Sequence, residues 1–291
     1  MLWDIIKTGN IKRQCRLRIL AGISIFDILA SIPFICGPYL LPKNSEDKKT
    51  ENTRAQLNAQ GNEYTCQAQA FLLSLYLVSI GYNLCLAMYY ILVVKYGVSE
   101  LWLSSKVEKW MHLFSLGYGI AASLAMLPFG LDLYVPRTSM CQADVNNEKL
   151  FADLCYAYFT ITAIVVITIL MIILYISVRK EEGTVKKFWS SRSRWSSRTV
   201  IHANVSRKVA SQCFAFSIIF YIVYVPVVLG RRFDLCSAEN STYSFCILLS
   251  LLSPLQGFLN AAVYFRSRIV CKILSVFKGC RKEGTEESPN E

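Results

Sequence analysis

The chain has 291 residues, 54% of them hydrophobic, and carries a formal net charge of +11. Its apolar residues fall in long blocks rather than in the short alternating patterns of a soluble core, which excludes an ordinary water-soluble domain and predicts a polytopic membrane protein. Eleven cysteines without C-x-x-C spacing argue against a zinc site or a small disulfide scaffold. The two histidines, His112 and His202, belong to no catalytic motif, and no phosphate-binding glycine loop occurs, so no enzyme activity, cofactor or metal is expected.

Residues 1–18 hold no apolar stretch between their charges and so are not read as a signal peptide. Crossing a bilayer takes about 20 apolar residues, and six stretches qualify. The first, Ile19 to Leu41, contains Asp27, alone among the twenty acidic residues in lying well inside a span. A carboxylate there is costly, so it serves either function or interhelical packing. Pro33 and Pro38 in the same span read equally as a kinked, widened outer half or as an irregular helix end.

The second span runs from Cys66 to Val94 and includes Asn83. The third, Trp110 to Leu131, has Gly117, Ala121 and Ala125 at steps of four, a small-residue stripe expected to let two helices approach closely. The fourth covers Leu150 to Val178, and the fifth, Val209 to Gly230, contains Pro226. In the sixth, Tyr243 to Phe265, Gln256, Asn260 and Tyr264 recur every four residues and stack on one helix face, with Gly257 beside them. Pro226 and Pro254 are expected kinks, tolerated in a span where neighbours satisfy the freed carbonyl. The polar stripe reads as an inward face, either structural glue or a working part.

The loop Arg179 to Lys208 holds nine basic and two acidic residues, among them Lys186, Lys187, Arg192, Arg194, Arg198, Arg207 and Lys208. Attraction to the anionic inner leaflet explains part of this bias, and a loop held at a membrane is a poor nucleic-acid binder. Beyond the last span, residues 266–280 have the pattern of a juxtamembrane amphipathic helix, with Cys271 and Cys280 as candidate palmitoylation sites. Residues 281–291 read as a disordered acidic tail.

Cytoplasmic loops carry the excess of Lys and Arg. Of the 31 basic residues, 23 fall in the N-terminal segment, the loops after spans two and four, and the tail, and eight fall in the other loops. Both ends are therefore expected in the cytoplasm. This places the sequon at Asn240 outside, where it can be glycosylated, and leaves the one at Asn204 inside and bare.

Asp27 in "SIFDILASIP", "TCQAQAF" opening span two, "YNLCLAMYYILVVKYG" closing it, Cys141 ahead of span four and "PLQGFLNAAVY" together resemble a G-protein-coupled receptor, most similar to the cAMP-receptor-like and secretin-like group of protists. The resemblance runs from about Trp3 to Phe265. It implies an all-α seven-transmembrane bundle with six spans present, Ile19 to Leu41 standing as the second receptor helix and the first absent from the N-terminus. It also implies a disulfide between Cys66 and Cys141, and an interior polar network of Asp27, Asn83, Gln256, Asn260 and Tyr264. Its partners would be an unidentified extracellular ligand, a heterotrimeric G protein contacted by the basic loop, and the lipids of the plasma membrane. Departures are visible: Lys95 and Tyr96 stand where an Asp-Arg-Tyr motif would be, and Tyr224 to Pro226 lack the tryptophan of the sixth rhodopsin-like helix. The competing reading is a six-helix transporter or channel, although no half of the chain repeats the other.

Overall fold

The computed structural model describes Trp3 and residues 14–41, 59–125, 134–135, 140–141, 158–190, 197–232 and 243–278. Helix α1, Cys15–Cys36, ends in a 3-10 turn at Gly37–Leu40. Helices α2, Glu63–Ser74, and α3, Tyr76–Val94, together form the second expected span. A short α4, Glu100–Lys106, leads to α5, Glu108–Ala125. The two-residue strands β1, Tyr134–Val135, and β2, Met140–Cys141, pair antiparallel. Three long helices follow: α6, Phe159–Ser190, α7, Ser197–Arg232, and α8, Tyr243–Lys278.

Local chemistry sets several of these boundaries. Asn62 caps α2 by accepting from the Thr65 amide (3.0 Å), while the Thr65 hydroxyl accepts from the Asn62 amide (2.8 Å), so two otherwise orphaned donors are satisfied. Helix α3 stops at Gly97, whose φ of +62° suits a residue without a Cβ. Ser99 then caps α4, accepting from the Trp102 amide.

Helix α3 sits at the centre, touching α1, α5, α6 and α7. It is apolar on almost every face, and a helix of that kind has to be buried on almost every face. Leu77, Ile80 and Tyr90 of α3 have no exposed surface and form the core with Ile19, Ile23, Ile167, Leu174 and Phe220. Helix α6 is the opposite case: Val165, Ile169, Ile172 and Ile176 lie exposed, as expected for a bilayer-facing helix.

Among the described helices, five segments are long and apolar enough to cross a membrane: Cys15–Cys36, Glu63–Val94, Phe159–Lys180, Ala210–Gly230 and Leu248–Arg266. The remaining expected span, Trp110 to Leu131, corresponds to α5. Its described part starts with Glu108, Lys109 and His112, so it falls short of that standard, and residues 126–131 lie outside the described residues.

Three sequence expectations need correcting. The stripe of Gly117 and Ala121 is exposed, with open space around Gly117, whereas the buried face of α5 carries Ser115, Gly119, Ala122 and Ser123. The register differs by two residues because a run of small residues offers two small faces, and α3 chooses between them. The supposed loop Arg179 to Lys208 is largely helical: α6 carries Lys186 and Lys187 to its end at Ser190, and α7 begins at Ser197 with Arg198, Arg207 and Lys208 inside it. Arg192 and Arg194 lie outside the described residues. Helix α8 likewise runs unbroken to Lys278, so residues 266–278 extend the last span rather than forming a separate helix.

Candidate functional site

Asp27 lies midway along α1, which packs against both α3 and α8. The residue is 6% exposed, and each carboxylate oxygen has its own donor. The Ser79 hydroxyl of α3 donates to Oδ1 at 2.6 Å, and the Asn260 amide of α8 donates to Oδ2 at 3.0 Å. One turn earlier on α8, the Gln256 amide donates to the Ser79 hydroxyl at 3.3 Å. One turn further along α3, the Asn83 amide donates to the Ser79 carbonyl at 2.8 Å. The side chains of Asp27, Ser79, Gln256 and Asn260 thus form one connected group drawn from three helices, with Asn83 bonded to the Ser79 backbone, and the two bonds to the carboxylate are of the stronger, charge-assisted kind.

Backbone shape makes the closeness possible. A Cβ on Gly257 would stand 3.3 Å from the Asp27 Cβ, so glycine at this position brings α8 onto α1. The four-residue spacing of Gln256 and Asn260 puts both amides on one face of α8, where Asn260 reaches Asp27 of α1 and Gln256 reaches Ser79 of α3, and both residues are at least 95% buried. Tyr264, one turn beyond, is half-buried with its ring edge-on to Phe265 at 4.9 Å. Ser31 adds a bond from its hydroxyl to the Asp27 carbonyl (2.7 Å).

The sequence reading did not single out Ser79, although its place four residues before Asn83, on the same helix face, could have suggested it. Nor did it single out Tyr224. The hydroxyl of Tyr224 is buried beside Gln256 and Ser79, and its ring packs on Phe220 at 4.7 Å. Pro226 lies within α7 and Pro254 within α8.

A second polar group lies at the end of the bundle where α1 begins. Arg18 donates to both carboxylate oxygens of Glu108 and to the Ser104 hydroxyl (2.7 Å), joining α1 to the α4–α5 elbow. His112 Nε2 lies 3.4 Å from Glu108, and its Nδ1 shares a hydrogen bond with the Tyr82 hydroxyl at 2.9 Å. Burial alone would raise the Glu108 carboxyl, but the bonds from Arg18 and Ser104 and the Arg18 charge outweigh it and hold the group below its ordinary value. Glu100 of α4 accepts from the Tyr89 hydroxyl and from the Cys15 amide (3.3 Å). Arg16 donates to the Gln212 side chain at 2.8 Å, tying α1 to α7 at the same end.

At the opposite end, the buried Gln69 amide donates to the carbonyls of Gly37 (3.0 Å) and Pro33 (3.3 Å), holding the end of α1 where it passes into the 3-10 turn. Cys66 of α2 is disulfide-bonded, and strand β2, which ends at Cys141, packs against α2. Cys271 lies on α8. Asn240 and Cys280 lie outside the described residues. Among the described residues no group of His, Cys, Asp or Glu is arranged to hold a metal ion.

No family model matches this chain, and no curated protein matches it.

Proposed function

We propose that the chain is the helical bundle of a G-protein-coupled receptor of the plasma membrane, passing an extracellular ligand signal to a heterotrimeric G protein. The observation that carries this reading is the bonded group of Asp27, Ser79, Gln256 and Asn260. It joins α1, α3 and α8 through one bonded group, and the α1 carboxylate is satisfied by groups that repacking would exchange. A ligand acts through such a bundle only by differential affinity for two packings, and a polar junction between helices gives those packings different energies.

In this reading the protein is not an enzyme. Cys66 pairs with Cys141 on the oxidising side, which suits the approach of β2 to α2. The inner ends of α6 and α7, with Lys186, Lys187, Arg198, Arg207 and Lys208, form the G-protein surface together with Arg192 and Arg194, which lie between them in the sequence. Asn240 carries glycan, and Cys271 and Cys280 are acylated.

Nucleotide exchange on purified heterotrimers tests the proposal, with the protein reconstituted in vesicles and set against empty vesicles. Exchange above background that changes several-fold in Asp27→Asn and Asn260→Ala, with the folded fraction unchanged, is the expected result. Background exchange with every G-protein class would sink the receptor reading.

A further inference from the structure

The elbow from α4 into α5 has two unlike sides. Backbone bonds from Val107 to Leu103 and from Met111 to Val107 carry the helical repeat through the turn, so residues three and four apart stay on one face. Leu103, Glu108 and Met111 point inward and are buried. On the outer face Leu101 is 84% exposed, Trp102 50% and Trp110 69%, with exposed Lys106 and Lys109 between them. The inner contacts fix this face outward: Glu100 is held by Tyr89 and the start of α1, and Glu108 by Arg18. Both acids of the elbow are thereby turned away from the lysines, and among the described residues no ion pair engages Lys106 or Lys109.

Two indoles flanking two ammonium groups on one face match the boundary between hydrocarbon and headgroups, where tryptophan is at home and lysine meets phosphate. The neighbouring surface says which way the bilayer lies. One turn beyond Trp110 on the same helix, Leu113 and Phe114 are exposed and uncharged neighbours follow, so the apolar zone begins there.

We propose that the outer face of the α4–α5 elbow binds anionic phospholipid headgroups. Trp102 and Trp110 seat at the glycerol level, and Lys106 and Lys109 pair with the phosphate and the additional headgroup charge. The inference rests on the five membrane-length helices and on the packing of α5 against one of them, α3, and not on the receptor reading.

The test uses the whole chain in nanodiscs containing a photoactivatable headgroup analogue of phosphatidylserine or of phosphatidylcholine, with adducts mapped by mass spectrometry. The serine analogue is expected to label residues 101–110 several-fold more than the choline analogue. Lys106→Gln/Lys109→Gln should erase that difference while leaving the melting temperature and the labelling of α6 unchanged. Equal labelling by both analogues in the wild type would reduce the face to ordinary interfacial contact and overturn the proposal. So would labelling of α6 with none on the elbow, which would mark the elbow as an aqueous surface open to a protein partner. Absence of adducts anywhere would instead overturn the membrane assignment on which the inference rests.

Discussion

Asp27 has two donors aimed at it, and removing their acceptor strands both. Asp27→Ala leaves the Ser79 hydroxyl and the Asn260 amide buried without that partner, at about 1–3 kcal/mol for each unsatisfied group. Asp27→Asn keeps the shape and an acceptor oxygen, and the Asn260 amide can turn to accept in its place. Thermal unfolding in detergent is therefore expected to show a clear loss for alanine and a much smaller one for asparagine; equal losses would mean that the charge, not the bonding, holds the junction. The second residue to test is Glu108. Its folded carboxyl lies below the unfolded value of 4.5, so its contribution is complete above that value and disappears as pH falls through the lower, folded one. Wild-type stability should thus show no step from this group between neutrality and pH 5, and a decline in more acid solution. Glu108→Gln, which keeps the shape but weakens two charge-assisted bonds to Arg18, should lose about 1–3 kcal/mol at neutral pH and flatten that acid decline. An unchanged acid decline in the variant would assign it to other carboxylates.

Among the elements, the contact of α3 with α5 is decided by glycines. A Cβ on Gly119 would stand 2.4 Å from the Val78 side chain and 2.7 Å from its backbone nitrogen, and backbone cannot step aside. Gly119→Ala is expected to cost about 1–3 kcal/mol through overpacking. Gly117→Ala, two residues away in open space, should be neutral or stabilise by up to about 1 kcal/mol through helix propensity. Comparing the melting temperatures of the two variants checks the register directly, and the reverse order would place Gly117 in the contact. This pair also shows what the sequence could and could not disclose. The inward stripe of Gln256, Asn260 and Tyr264 follows from periodicity, which is local, and Gln256 and Asn260 are buried where the pattern puts them while Tyr264 is half-buried. Which of two small faces meets α3 depends on a neighbour distant in the chain, and nothing in residues 115–125 records it. The same limit hid Ser79, an ordinary serine in an apolar helix until Asp27 is known to face it. It hid the Arg18–Glu108 bond as well, because ninety residues separate its partners.

At the scale of the whole molecule, two independent arguments divide the bundle into the same two ends. Charge counting assigns the N-terminal segment and the loops after spans two and four to one side, with 23 of the 31 basic residues. Contacts do so without reference to charge: the start of α1 bonds to Glu100 after α3 and to Gln212 near the start of the fifth span, while its far end bonds to Gln69 of α2. The agreement is physically meaningful because the first argument concerns insertion, which reads flanking charges, and the second concerns packing, which reads helix faces. If the crowded end is cytoplasmic, the Asn240 sequon is luminal during synthesis and the Asn204 sequon is not. Translation with microsomes should therefore give a product that loses one glycan on endoglycosidase treatment. Asn240→Gln should abolish that shift and Asn204→Gln should leave it. Modification at Asn204 instead would turn the bundle over, and would put the Lys106–Lys109 face on the leaflet poorer in anionic lipid, where it would have little to bind.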